Sequence, residues 1–208
     1  SKPAETRQVT LCGQSVPLGS RQLFFCQDLP ELVLGVELCE DLWAVEPPST
    51  RLAALGATLI LNLSASDEVV GKADYRRALV KGQSAGQYVY ADAGEGESTT
   101  DLVFTGHNLI AENGALLSER RFASGLTISE VDVARLAYER RRMNTYPSRD
   151  GREEALLHGL WRTGFSLESA TTTLTRYVSP TPFVPEDAAD RAERCEEILK
   201  VAALGLKK

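Results

Sequence analysis

The chain has 208 residues, 43% hydrophobic and 25% charged, which is ordinary globular usage and enough for one sizeable packed domain, with or without a tail. A formal net charge of -6 argues against nucleic acid as a partner, because a polyanion calls for a basic face. No apolar run approaches the roughly 20 residues of a membrane-spanning helix, so no membrane role is expected.

The start, Ser1-Lys2-Pro3-Ala4, carries neither an initiator Met nor a basic-then-apolar signal segment, and reads as a cut piece of a longer protein. Residues 9–12 and 22–26 are short apolar runs, expected as two strands joined by a turn over 13–19. Leu32–Leu38 is a near-continuous apolar run of strand length, as for a strand buried on both faces. Ser49 is the expected N-cap of a short helix that stops at Gly56, and 57–63 gives a second buried strand. Residues 72–87 read as an amphipathic helix, with Tyr75, Leu79 and Val80 on the apolar side and Arg76, Arg77 and Lys81 on the polar one. A third strand covers 88–93.

This alternation of strand and helix is the signature of an α/β layered fold. A polar loop, 94–100, leads to an expected strand over 102–112. Asn113-Gly114 then turns it into a hairpin with 115–121, since both turn residues must take positive φ. A further strand is expected near 125–131, then a helix capped by Asp132 that carries Val133, Leu136 and Met143. Its Arg140-Arg141-Arg142 run reads as a solvated face or an intramolecular contact. Residues 152–180 are weakly periodic, 179–185 look like a linker, and 186–206 form a terminal helix striped with Ala192, Cys195, Ile198, Leu199, Ala202 and Ala203.

Four cysteines (Cys12, Cys26, Cys39, Cys195) are too scattered for a zinc site or a secreted disulfide framework, so no metal and a reducing, cytoplasmic setting are expected. Cys39 ends the strand 32–38, and reactive groups in layered α/β proteins gather at the carboxyl ends of strands. A thiol in that context is nevertheless more often a small buried hydrophobe. Glu40 and Asp41 would oppose its ionisation if their charges lay near the sulfur. A catalytic Cys39 therefore needs a cation or a base, and His107 and His158 lie far along the chain; His107 reads as structural or surface.

Gly35-Val36-Glu37-Leu38-Cys39-Glu40-Asp41-Leu42-Trp43 resembles the cysteine motif of the carbon–nitrogen hydrolase (nitrilase) superfamily, in the variant of glutamine-dependent NAD synthetases. Asn62-Leu63-Ser64-Ala65-Ser66, Gly71-Lys72-Ala73-Asp74-Tyr75-Arg76-Arg77 and Gly94–Leu102 resemble the stretches that follow it, and Phe183–Ile198 the bridge into an ammonia-using synthetase domain. The resemblance covers nearly all of residues 9–206.

It implies part of a four-layer α-β-β-α sandwich over 1–178, with 179–208 as linker and first helix toward a synthetase domain. It implies a Glu–Lys–Cys triad in which Cys39 attacks the glutamine carboxamide. Glu40 would help hold the substrate amino group, Trp43 would form an aromatic wall, Ser66 would bind glutamine, and Lys72 would fall where relatives place a basic residue, often Arg. The triad's Glu and Lys lie upstream of the cysteine in the family, and none of Glu31, Glu37 or Lys2 sits in a matching context. The segment alone is thus expected to be inactive and without a cofactor, ATP and magnesium belonging to the synthetase domain. Its uncovered sheet edges imply homo-oligomerisation or another partner chain. A nitrilase-type amidase acting on another amide and a degenerate interaction module are the competing readings.

Overall fold

A computed structural model describes residues 7–84, 86–144, 160–168 and 170–207. The chain divides into two compact units, 1–172 and 173–208. In the first, β1 (Arg7–Leu11) and β2 (Gln14–Leu18) form a separate antiparallel hairpin. Its two-residue turn, Cys12-Gly13, has φ of 51° and 78°, the doubly left-handed turn that matches the twist of paired strands. The expected turn over 13–19 is thus mostly strand.

Seven strands build the main sheet, in the order β8-β7-β6-β5-β4-β3-β9. They are β3 (Gln22–Cys26), β4 (Val33–Leu38), β5 (Leu59–Ser64), β6 (Gln87–Asp92), β7 (Asn108–Glu112), β8 (Ala115–Arg120) and β9 (Trp161–Phe165). At its centre β4, β5 and β6 run parallel. Helices α1 (Pro48–Ala54) and α2 (Lys72–Gln83) connect them, as α/β crossovers must. The expected α/β class is therefore what this unit adopts, with the helices packed on one face of a mixed sheet.

Register fixes that face. Gly35, Ile60, Tyr88 and Ala111 lie in one row across four strands, and Glu37, Asn62, Tyr90 and Leu109 in the next. All eight are buried. Gly35 is there because α1 lies so close: a Cβ would stand 2.9 Å from Ile60 Cδ1 and 3.1 Å from Leu52 Cβ. On the opposite face Leu38, Leu63 and Ala91 form a neighbouring row that stays exposed.

Several expectations shift. Pro47, not Ser49, caps α1; Ser49 sits inside the first turn and its N–H donates to Glu37 Oε2 at 2.8 Å. In α2 Val80 is buried and Leu79 packs against the core as expected, but Tyr75 is exposed while Arg76 is completely buried, because Arg76 finds polar partners under the helix. The ladder expected from 102 begins only at Asn108, after Gly106 turns the chain at a φ of +61°. Residues 125–131 are not a strand. They leave the end strand β8 with no neighbour to pair with, and Leu126 and Ile128 stay exposed. Trp161–Phe165, hidden in the weakly periodic region, is an edge strand pairing parallel with β3.

Asp132 does cap α3 (Val133–Arg142), accepting from Arg135 N–H; Met143 lies just past the helix, exposed. From that helix Arg140 reaches back to donate to the Ala57 carbonyl at 2.6 Å. His158 and the loop 147–151 lie outside the described residues. In the second unit, Asp187 caps α4 (Ala188–Leu206) by accepting from Ala189 and Asp190 N–H, and none of the helix's residues is buried, the expected stripe included. No helix among the described residues is long and apolar enough to cross a membrane.

Candidate active site

The parallel trio β4–β5–β6 ends its strands side by side, at Leu38, Ser64 and Asp92. Cys39 is the first residue beyond β4 and opens a single 3-10 turn, Cys39–Trp43. The turn is held from within: Asp41 Oδ2 accepts from Leu38 N–H at 3.0 Å, which directs that carboxylate back to the turn's start. Cys39 itself has a φ of +46°, a left-handed conformation that costs a non-glycine residue on the order of 1 kcal/mol. Such strain persists only where the surroundings over-determine it.

Here they do. The Asn62 side chain grips both peptide groups of Cys39: Oδ1 accepts from Cys39 N–H at 3.1 Å, and Nδ2 donates toward Cys39 C=O at 3.4 Å. Nδ2 also donates to the Tyr88 hydroxyl at 3.0 Å, and Tyr88 in turn donates to Glu37 Oε1. Burial, the facing Glu37 charge and this hydrogen bond push the Tyr88 phenol far above its ordinary range, so it stays a donor. Asn62, Tyr88 and Glu37 are all buried beneath the helices. Among the described residues, the hydrogen bonds of Cys39 are made by its backbone, and its thiol is half-buried.

Beside the turn, Trp43 meets the edge of Tyr90 at 6.4 Å, and the Lys72 ammonium lies 5.9 Å from the Trp43 ring centre. Lys72 is also paired with Asp67 at 2.8 Å, which holds that exposed carboxyl below its usual range. Tyr90 bonds Ser64 at 2.6 Å and packs against the Arg76 guanidinium, and burial pushes its phenol up to about 12. Ser66 is placed twice over: its N–H donates to Asp92 Oδ1 at 2.8 Å, and its hydroxyl oxygen accepts from Arg76 at 3.1 Å. The Ser66 side chain also hydrogen-bonds Tyr90, which moderates the rise of that phenol.

Arg76 is the hub of a second buried cluster. It pairs with Glu68 at 3.0 Å and stands 3.8 Å from Asp92. It also donates to His107 Nδ1 at 2.7 Å, and because arginine has only donors, Nδ1 must carry the lone pair. His107 Nε2–H therefore donates to Glu119, at 2.7 Å. Burial, then the Arg76 charge, lower the His107 pKa against the upward pull of Glu119, so the ring is neutral. Burial pushes Asp92 up, whereas at Glu68 the Arg76 and Thr105 hydrogen bonds outweigh burial and hold the carboxyl low.

Of the residues singled out in the sequence, Cys39, Trp43, Ser66 and Lys72 gather where the three strands end, while Glu40 sits exposed on the turn itself. His107 is structural, as its context suggested. The residues that build the site from below were missed: Glu37, Asn62, Tyr88, Tyr90, Arg76 and Asp92. A signal existed, since Glu37, Asn62 and Asp92 are polar residues inside runs otherwise apolar enough for buried strands, and a buried polar group must have a partner. A cleft of about 640 Å3 opens between β3, β4 and α1, but it reaches the turn only through Leu38 and Asp41, so the strand ends rather than this cleft define the site.

No family model matches the chain. It is 40% identical to a glutamine-dependent NAD(+) synthetase of Mycobacterium tuberculosis over 97% of its own length and 31% of that protein's. With the Mycobacterium leprae synthetase the identity is 42%, over 91% of this chain and 29% of the relative. A solved glutamine-dependent NAD(+) synthetase from Cytophaga hutchinsonii overlays 58% of the chain and 19% of its own, at 29% identity and a TM-score of 0.46. The chain spans about a third of the length of the mycobacterial relatives, and over that stretch it is similar to glutamine-dependent NAD(+) synthetases.

Proposed function

We propose that the chain carries the nucleophile of a glutamine-hydrolysing site whose ammonia serves NAD formation in the intact protein. The observation that carries this reading is Cys39: a strained thiol at the end of a parallel strand, in a stretch 40% identical to synthetases named for their glutamine dependence. The Cys39 sulfur attacks the carboxamide carbon, and the tetrahedral oxyanion collapses to a thioester as ammonia leaves with a proton. Water then cleaves the thioester, releasing glutamate and the thiol. Trp43 walls the pocket, Ser66 contacts the bound glutamine, Lys72 contributes positive charge from beside Trp43, and Glu40 receives the substrate amino group.

Base and oxyanion-stabilising lysine are assigned to the segment that precedes this one in the relatives, and ATP with magnesium to a synthetase domain that follows it. Restoring the preceding segment and treating the protein with a diazoketone analogue of glutamine should modify Cys39, and free glutamine should compete the label away. Equal labelling of Cys12, Cys26 and Cys195, or indifference to glutamine, would sink the reading.

A further inference from the structure

We propose that Asn62 is the positioning residue of Cys39, fixing the direction from which the thiol meets a carbonyl carbon, with Glu37 and Tyr88 setting which way its amide points. The proposal rests on the reading of Cys39 as a nucleophile. Its warrant is the order of donors and acceptors. As a carboxylate, Glu37 only accepts. One oxygen takes the Ser49 N–H at 2.8 Å and the other the Tyr88 hydroxyl proton. Having given its single proton away, Tyr88 has only lone pairs to offer, so the group 3.0 Å from it must be the Asn62 NH2. The Asn62 carbonyl then has to face Cys39 N–H, 3.1 Å away. A flipped amide would set NH2 against N–H at Cys39 and oxygen against oxygen at Tyr88.

The relay thus transmits one orientation from α1, through three strands' buried side chains, to a residue held at a φ of +46°. Glu37 and Asn62 are register partners on neighbouring strands, so the clamp is built on the most rigid part of the sheet. The contacts of Asn62 with Cys39 are to its backbone N–H and C=O, so the three act through the Cys39 backbone.

The test uses the chain joined to the segment that precedes it in its relatives, and the diazoketone analogue of glutamine. Inactivation is split into analogue affinity (KI) and the covalent step (kinact), beside alkylation of the same cysteine by iodoacetamide. Asn62→Ala should lower kinact by about 100-fold, the scale of a misplaced reacting atom. KI and the iodoacetamide rate should both stay within about threefold, because neither needs the fixed approach. Tyr88→Phe, which removes only the oxygen that orients the amide, should lower kinact by about tenfold; it decides the matter if Asn62→Ala does not fold. An unchanged kinact in the folded variants overturns the positioning role. So does a kinact that falls in step with the iodoacetamide rate, which would mean the thiol has merely been buried. Absence of labelling at Cys39 in the unaltered protein instead overturns the nucleophile reading, and the positioning role falls with it.

Discussion

Two buried polar networks lie under the helices of this chain, and they are built on opposite logic. The Glu37–Tyr88–Asn62 relay holds a single formal charge and passes a direction from group to group. The cluster around Arg76 collects Glu68, Asp92, His107 and Glu119, and with Arg121 paired to Glu68 and Arg77 to Glu119 it balances charge rather than ordering protons. The relay ends on the backbone of Cys39; the cluster ends on Ser66 and Tyr90, beside the turn. On the function proposed above, orientation is needed where Cys39 attacks along one line, and a rigid support suffices where a substrate has only to rest. The two networks should therefore fail differently when broken.

The cluster should fail by losing the fold. Arg76→Leu keeps most of the volume but leaves Glu68 and Asp92 buried without their cation, a change that typically costs about 3–5 kcal/mol. Urea unfolding followed by circular dichroism measures it; a loss below about 1 kcal/mol would show that water reaches the cluster and that its charges are not truly desolvated.

The relay should lose less stability and more order. In Glu37→Gln, one of the two donors facing the side chain, Ser49 N–H or Tyr88 O–H, meets an NH2 group instead of an oxygen. The expected cost is about 1–3 kcal/mol, the usual range for a buried polar group left unsatisfied. In a Tyr88→Phe background the same change should cost clearly less, since the hydroxyl it would confront is gone. Additive losses would mean that the relay is a set of separate contacts and that the comparison with the cluster is false.

Much of the frame could be read from the sequence, because it is written in local patterns. Apolar runs at 32–38 and 57–63 separated by a short helix, the Asn113-Gly114 turn and the Asp132 cap all follow from period and from φ preference. What stayed hidden depended on groups far apart in the chain. Helical periodicity groups Arg76 with Arg77 and Lys81 on the polar side of α2; only Glu68, His107 and Asp92 together make its burial possible. Trp161–Phe165 is mixed in polarity and becomes a strand only because β3 offers an open edge. Cys39 stood out through its neighbours, but its left-handed backbone is imposed by Asn62, 23 positions later, and has no local signature.

Acid should separate the two networks again. His107 has a lowered pKa in the folded chain, so below the ordinary histidine pKa the unfolded state binds the extra proton and the folded state resists it. Stability carried by neutral His107 is thus present at higher pH and is lost as pH falls through and below about 6.5. Asp92, raised by burial, acts in the opposite sense and favours the folded state at lower pH, so the net slope of the unaltered chain mixes the two. The difference between this chain and His107→Gln isolates the histidine. Between pH 7.5 and 5.5 the melting temperature of the unaltered chain should fall more steeply than that of the variant, at roughly neutral-pH stabilities within a few degrees. Parallel slopes would mean that burial beside Arg76 does not hold the ring neutral.

The smallest effect on stability is expected on the other side of the sheet. The row Leu38–Leu63–Ala91 lies near the ends of the same three strands that carry the relay, yet it is exposed. Leu38 and Leu63 are 59% and 58% exposed, and neighbouring apolar side chains on one face are where another surface would associate. Leu63→Lys removes little packing, so the urea midpoint should move by no more than about 0.5 kcal/mol's equivalent. Association is a different matter: light scattering on the 208-residue chain should show a lower average mass for the variant than for the parent at equal concentration. Equal masses would mean that the exposed face does not drive self-association, and that the helix-covered face, with its two networks, accounts by itself for how the chain behaves in solution.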